Sequence, residues 1–179
     1  FILAEALKKD YGPTSTFTSK KKAFCVTRSK SGKCREWFEV NNYDDAYAGA
    51  TTLSNATYFS DNSVYAELGL KVGTKRIARL ARRMGVRTPV STNPAMTLGG
   101  LEQGVTTLDM AHAYATFAND GILPYGTLSP RERGATPGPV GIEEIRDGDD
   151  RIRNRTRDDK RVVPYGVAQQ VEGILAGVV

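Results

Sequence analysis

Apolar positions at helical spacing open the chain: Phe1, Ile2, Leu3, Ala4, Ala6 and Leu7 predict a helix over 1–9, closed by Tyr11-Gly12-Pro13. Residues 14–45 are polar and turn-rich, with short strands expected at 23–28 and 36–40. Between 52 and 70 the pattern predicts two short helices, Thr52-Leu53-Ser54-Asn55-Ala56 and Val64-Tyr65-Ala66-Glu67-Leu68-Gly69, divided by the polar turn Phe59-Ser60-Asp61-Asn62-Ser63. Ile77, Leu80, Ala81 and Met84 repeat on one face of a helix over 74–84, with Gly85 as its stop.

The strongest helix signal begins at Thr106, where Thr106-Thr107-Leu108-Asp109 offers a capping box in its Asp form. Leu108, Ala111, Ala115 and Ala118, with Met110, Tyr114 and Phe117 alongside, form a broad apolar face down to Asn119-Asp120-Gly121, which predicts a buried central helix. Over 138–163, Val140, Ile142 and Ile145 alternate toward Asp147-Gly148-Asp149-Asp150, followed by Ile152 and Val162-Val163, so a β-hairpin on an exposed edge is expected. Val167, Val171, Ile174, Leu175 and Val178 predict a last helix. No cap precedes Phe1 and no terminator follows Val179, so both ends read as cuts inside helices.

Length and composition narrow the class. The 179 residues make one domain's worth of chain, 40% are hydrophobic and 25% charged, and the mean hydropathy is −0.39, which disfavours disordered, collagenous and polytopic membrane classes. No apolar run approaches the roughly 20 residues needed to cross a bilayer, and no charged-then-apolar signal segment opens the chain. Any anchor or export signal is therefore expected outside this sequence.

The formal charge is +5 and the pI near 9.2. Basic residues cluster in 20–36 and again as Lys75, Arg76, Arg79, Arg82, Arg83 and Arg87. The second cluster is the outer face of a core helix with no aromatic to stack bases, so a solvated face is expected and nucleic acid is not. A bacterial wall polymer or an anionic lipid headgroup stays open as a neighbour of the basic segments. Cys25 and Cys34 flank Arg28-Ser29-Lys30-Ser31-Gly32-Lys33, whose turn chemistry brings two arms together. A local disulfide between them, and hence an exported protein, is expected; two free thiols are the alternative. With His112 the sole histidine and far away, neither a metal site nor a cofactor is expected, and His112 reads as structural.

Most catalytic templates fail: there is no Gly-x-Ser-x-Gly, no Gly-rich phosphate loop and no zinc motif. Ser60-Asp61-Asn62 remains. Alone, it is turn chemistry that caps the following helix.

Its context goes further. Residues 51–68, Thr51-Thr52-Leu53-Ser54-Asn55-Ala56-Thr57-Tyr58-Phe59-Ser60-Asp61-Asn62-Ser63-Val64-Tyr65-Ala66-Glu67-Leu68, and 98–121, ending Ala113-Tyr114-Ala115-Thr116-Phe117-Ala118-Asn119-Asp120-Gly121, resemble the transpeptidase domain of class A penicillin-binding proteins. Asn42-Tyr43-Asp44-Asp45 with Tyr47-Ala48-Gly49, and the Asp147-Gly148 hairpin, match as well, whereas Thr107 stands where a Pro is common. The resemblance covers nearly the whole chain and implies an α+β, helix-rich fold. In that fold 1–179 is a partial transpeptidase domain, the helical lobe of the penicillin-binding protein and serine β-lactamase type, without most of its antiparallel sheet.

The resemblance also implies chemistry. The family's nucleophilic Ser and its Lys belong to Ser-x-x-Lys, expected about two residues before Phe1, and Lys-Thr-Gly is expected after Val179. Of the catalytic motifs only the middle one would lie in this chain. Ser60 would relay a proton between that Lys and the departing D-Ala amine; Asn62 would grip the donor stem peptide; Asp61 has no catalytic role assigned. The expected function is a fragment of a membrane-anchored peptidoglycan D,D-transpeptidase on the extracytoplasmic face, binding stem peptides ending in D-Ala-D-Ala and, in the intact domain, β-lactams. The isolated chain is expected to be inactive, and to self-associate or rearrange its packing because the apolar faces of its first and last helices lack a partner. The alternatives are a non-catalytic binding or regulatory module and a class A β-lactamase.

Overall fold

In the computed structural model, which describes residues 1–124, 141–154 and 160–178, helices surround one apolar core and short strand pairs lie at the edges. Helix α1 (Ile2–Leu7) is followed by strands β1 (Thr16–Ser19), β2 (Lys22–Arg28), β3 (Cys34–Val40) and β4 (Gly49–Thr52). Helices α2 (Leu53–Tyr58), α3 (Asn62–Val72), α4 (Thr74–Arg83) and α5 (Thr107–Ala118) come next, then strands β5 (Glu144–Asp147) and β6 (Asp150–Arg153), and helix α6 (Tyr165–Leu175). Short 3₁₀ turns occupy Tyr43–Asp45, Pro94–Leu98 and Ala176–Val178.

Local chemistry sets most boundaries. Side chains cap four segments: Thr52 accepts from Asn55 N at 3.2 Å, Asp61 from Val64 N at 3.0 Å, Asn93 from Met96 N at 3.0 Å and Thr106 from Asp109 N at 3.0 Å. Leu53, Val64, Leu68, Leu80, Met84 and Val163 form the fully buried centre. The basic residues of α4 lie on its outer face, as expected, and Arg83 donates to the Val162 carbonyl at 2.8 Å.

Among the described residues the strands form three separate two-stranded antiparallel ribbons, β1 with β4, β2 with β3 and β5 with β6. The β2–β3 ribbon carries the Cys25–Cys34 disulfide. In the β5–β6 hairpin Asp147 faces Asp150, while 138–140 and 155–159, parts of the same expectation, lie outside the described residues. The pairing of β1 with β4 was not expected, because two four-residue, threonine-rich strands far apart in sequence leave no local signal.

Two expectations are corrected. Helix α5 buries Asp109, His112, Ala113, Thr116 and Phe117, whereas Leu108 and Tyr114 are 54% and 52% exposed. Most of the expected face, Phe117 excepted, is thus turned outward, because Asp109 and His112 find partners inside. Asp109 binds Arg87, and His112 Nε2 pairs with the Pro124 carbonyl. His112 also packs on Gly85, whose φ of +99° ends α4; a Cβ there would lie 2.6 Å from the ring, so glycine is required. Nor are the faces of the first and last helices unpartnered. Leu3, Ala4 and Ala6 of α1 and Val167, Ala168, Val171 and Ile174 of α6 are buried in the common core, which removes the expected basis for self-association.

Among the described residues no helix is long and apolar enough to cross a membrane, and no group of His, Cys, Asp and Glu could hold a metal ion.

Candidate functional site

The turn joining α2 to α3 is built by two overlapping helix ends. Asp61 N donates to the Ala56 carbonyl at 2.8 Å and Ser60 N to the Thr57 carbonyl at 3.1 Å, the paired bonds of a Schellman C-cap. Ser60 fills the left-handed position of this cap with φ +52°, where glycine is usual. The next residue, Asp61, is already the N-cap of α3. One residue therefore separates the C-cap of one helix, Phe59, from the N-cap of the next, Asp61, and this fixes Ser60 and Asn62 on either side of a single anchored side chain.

That anchor is buried. The Asp61 carboxylate accepts from Ser63 Oγ at 2.9 Å, from Val64 N at 3.0 Å and from the hydroxyl of Ser19 at the end of β1. Ser19 Oγ in turn accepts from Ala48 N at 3.2 Å and from Asn42 Nδ2 at 3.4 Å, and Asn42 Oδ1 receives Ser63 N at 2.9 Å. Burial pushes the Asp61 carboxyl up, but the hydrogen bonds from Ser19, Val64 N and Ser63 outweigh it and hold the group below its ordinary range. Asp61 is thus a charged structural pin.

Beside it, Ser60 and Asn62 open onto one cleft of about 270 Å³, which Asp61 also lines and which Thr57, Tyr65, Thr97 and Leu98 wall. Ser60 is exposed, and its hydroxyl has no hydrogen-bond partner among the described residues. Asn62 donates one amide hydrogen to the Asn41 carbonyl at 3.1 Å, which orients the side chain and leaves its oxygen and second hydrogen for a ligand. Thr57 Oγ1 and Tyr65 Oη share a hydrogen bond of 2.7 Å that stiffens the floor. The arrangement offers a free hydroxyl that both donates and accepts, beside an amide that does the same, at a fixed turn.

The wall formed by Thr97 and Leu98 was not identified from sequence. Its signal was Gly69 inside α3: a Cβ there would lie 2.5 Å from Thr97, so the glycine admits the Pro94–Leu98 turn against the helix. A larger cavity, about 470 Å³, lies among Phe1, Ile77, Met96, Leu101, Phe117 and Val171. Its lining is mainly apolar and includes neither Ser60 nor Asn62.

Ser19-Lys20-Lys21-Lys22 satisfies the letter of Ser-x-x-Lys but not its geometry. Ser19 is 2% exposed on a strand with its hydroxyl committed to Asp61, and Lys22 turns away to Glu67 at 2.6 Å and to the Ser63 carbonyl at 3.2 Å. Neither a free nucleophile nor a free base results.

The chain matches the penicillin binding protein transpeptidase domain over residues 12–179. It is 36% identical over 88 residues to penicillin-binding protein 1F of Bacillus subtilis, a match covering 47% of this chain and 12% of that protein. Among solved structures, penicillin-binding protein 1A from Haemophilus influenzae aligns with 26% identity and a TM-score of 0.57 over 69% of this chain and 17% of that one. The imipenem acyl-enzyme complex of penicillin-binding protein A from Mycobacterium tuberculosis shares the fold at a TM-score of 0.70 and 19% identity, over 99% of this chain and 41% of that one. The chain thus spans well under half the length of these relatives. Its helix-rich α+β lobe, its Ser60-Asp61-Asn62 turn and the extent of the family match lead to one assignment: the chain belongs to the penicillin-binding protein transpeptidase domain family, with the class A penicillin-binding protein 1A among its structural relatives.

Proposed function

We propose that this chain supplies the Ser-Asp-Asn wall of a serine D,D-transpeptidase site that cross-links peptidoglycan stem peptides at the extracytoplasmic face of a bacterial membrane. The observation that carries the reading is that Ser60 and Asn62 open onto the same cleft while the Asp61 carboxylate between them is held by Ser19 and Val64 N. The family match and the acyl-enzyme complexes of the relatives support it.

In this reading the nucleophilic serine of a Ser-x-x-Lys segment, not contained in these 179 residues, attacks the carbonyl of the D-Ala-D-Ala bond and yields its proton to the neighbouring Lys. The C–N bond breaks, Ser60 passes its hydroxyl proton to the departing D-Ala amine while taking one from the protonated Lys, and the donor remains as a serine ester. An amine of a second stem then attacks the ester, forming the cross-linking amide and returning the proton to the serine. Asn62 holds the donor backbone so that the scissile carbonyl faces the nucleophile. A β-lactam would enter by the same route, its ring amide being the bond opened. The chain alone carries the relay and the grip without a nucleophile and is inert.

Fluorescent penicillin tests this. No covalent band is expected on the chain alone, and one is expected when the chain is expressed within a polypeptide carrying Ser-x-x-Lys before it and Lys-Thr-Gly after it. A band on the chain alone, or none on the longer polypeptide, would contradict the reading; the second result would favour a non-catalytic binding module.

A further inference from the structure

The net charge of the chain is concentrated in one projecting arm. Seven of the 25 Lys and Arg and two of the 20 Asp and Glu lie within 20–40, so this segment carries +5, equal to the formal net charge of the whole chain, and everything outside it balances. The segment is the β2–β3 ribbon with its root and turn. Of the residues in its two strands only Val40 is buried. A two-stranded hairpin without a core to lie on is marginally stable by itself, and here the Cys25–Cys34 disulfide ties its strands together.

What the arm displays is specific. Lys20, Lys21, Lys30, Lys33 and Arg35 are exposed and have no ion-pair partner among the described residues, whereas Lys22 turns inward to Glu67. Trp37, the only tryptophan of the chain, stands opposite Cys25 in the ribbon and is 56% exposed. Cations therefore lie at the root and around the turn, with an exposed indole between them. Each strand of seven residues spans roughly 23 Å at about 3.3 Å per residue. A compact anion would reach only one cationic group. A linear polyanion laid along the ribbon reaches both groups and crosses the exposed Trp37 on the way.

We propose that the β2–β3 arm docks a linear anionic polymer with phosphodiester repeats, Lys20 and Lys21 holding it at the root, Lys30, Lys33 and Arg35 at the turn, and Trp37 packing between them. The proposal does not depend on acyl transfer.

Because Trp37 is the only tryptophan, its fluorescence reports the arm directly. The disulfide-intact 179-residue chain is titrated with poly(glycerol phosphate). A saturable change in Trp37 emission is expected, with log K falling against log salt at a slope of about −3.5, as counterion release gives for these five contacts on a flexible polyanion. Charge reversal by Lys30→Glu, Lys33→Glu and Arg35→Glu together should weaken binding at least about tenfold, whereas Arg76→Glu, Arg79→Glu and Arg82→Glu on the α4 face should change it by less than about twofold. Absence of a Trp37 response in the unsubstituted chain, or equal weakening by both triple variants, would overturn the proposal. Tighter binding to phosphatidylglycerol vesicles than to the polymer would overturn it in favour of a lipid surface.

Discussion

The hydroxyl of Ser19 donates to the buried carboxylate of Asp61 across 42 residues of sequence, tying the end of a strand to the turn that carries Ser60 and Asn62. The residue of the tripeptide with no assigned catalytic role is thereby the one that fixes the positions of the other two. Removing it leaves Ser19, Ser63 and the Val64 N–H without their shared acceptor. Asp61→Ala should lower stability by about 2–4 kcal/mol, from a lost cap and buried donors left unpaired. Ser19→Ala should cost less, about 1–2 kcal/mol, because two other donors remain on the carboxylate. Urea denaturation of the three proteins gives the order, and equal stabilities would refute the pinning role.

Acid should weaken the fold. Burial raises the carboxyls of Asp61, Asp109 and Glu67, but hydrogen bonds from Ser19, Val64 N and Ser63 for the first, Arg87 for the second, and Lys22 and Lys71 for the third bring each below its ordinary value of 3.8 for Asp or 4.5 for Glu. The unfolded chain therefore binds more protons than the folded one in this range. The stabilisation is fully present above the ordinary values and is lost as pH falls through the depressed ones. Tm should be level above about pH 5 and fall steadily below about pH 4. A Tm unchanged down to about pH 3 would contradict these assignments.

Reducing the Cys25–Cys34 disulfide should loosen the arm and spare the core. The ribbon has only Val40 buried, so the entropy that the bridge removes acts on the hairpin rather than on the helices. Hydrogen exchange after reduction should rise in β2 and β3 while α3 and α6 stay protected. Loss of protection in α3 would show that the arm supports the core.

Ser60 occupies a left-handed position that glycine fills at lower energy. Ser60→Gly should raise stability by about 0.5–1 kcal/mol, the relief of the left-handed strain less the added freedom of the unfolded chain. A decrease on thermal unfolding would mean that the hydroxyl contributes to the fold rather than being held free for the cleft.

Much of this was legible in the chain because it rests on local patterns. Helices α1, α3, α4 and α6 follow from apolar spacing, the Cys25–Cys34 ribbon from its turn residues, and Ser60 with Asn62 from a tripeptide between two helices. What escaped depends on distant partners. Asp61 reads as a helix cap until Ser19 and Asn42 are brought to it from far upstream in the chain. The exposed face of α5 was misassigned because Asp109 and His112 look polar until Arg87 and the Pro124 carbonyl neutralise them. The Thr97–Leu98 wall exists only because Gly69 lets a separate turn approach α3.

The central claim is that Ser60 moves a proton in acyl transfer, and the rate of covalent labelling tests it most directly. In a polypeptide that restores the Ser-x-x-Lys and Lys-Thr-Gly segments, Ser60→Ala should slow acylation by fluorescent penicillin by about 10²–10⁴-fold, the usual range for loss of a proton-transfer group, with the thermal transition essentially unchanged. An acylation rate within about twofold of the unsubstituted polypeptide would contradict the account.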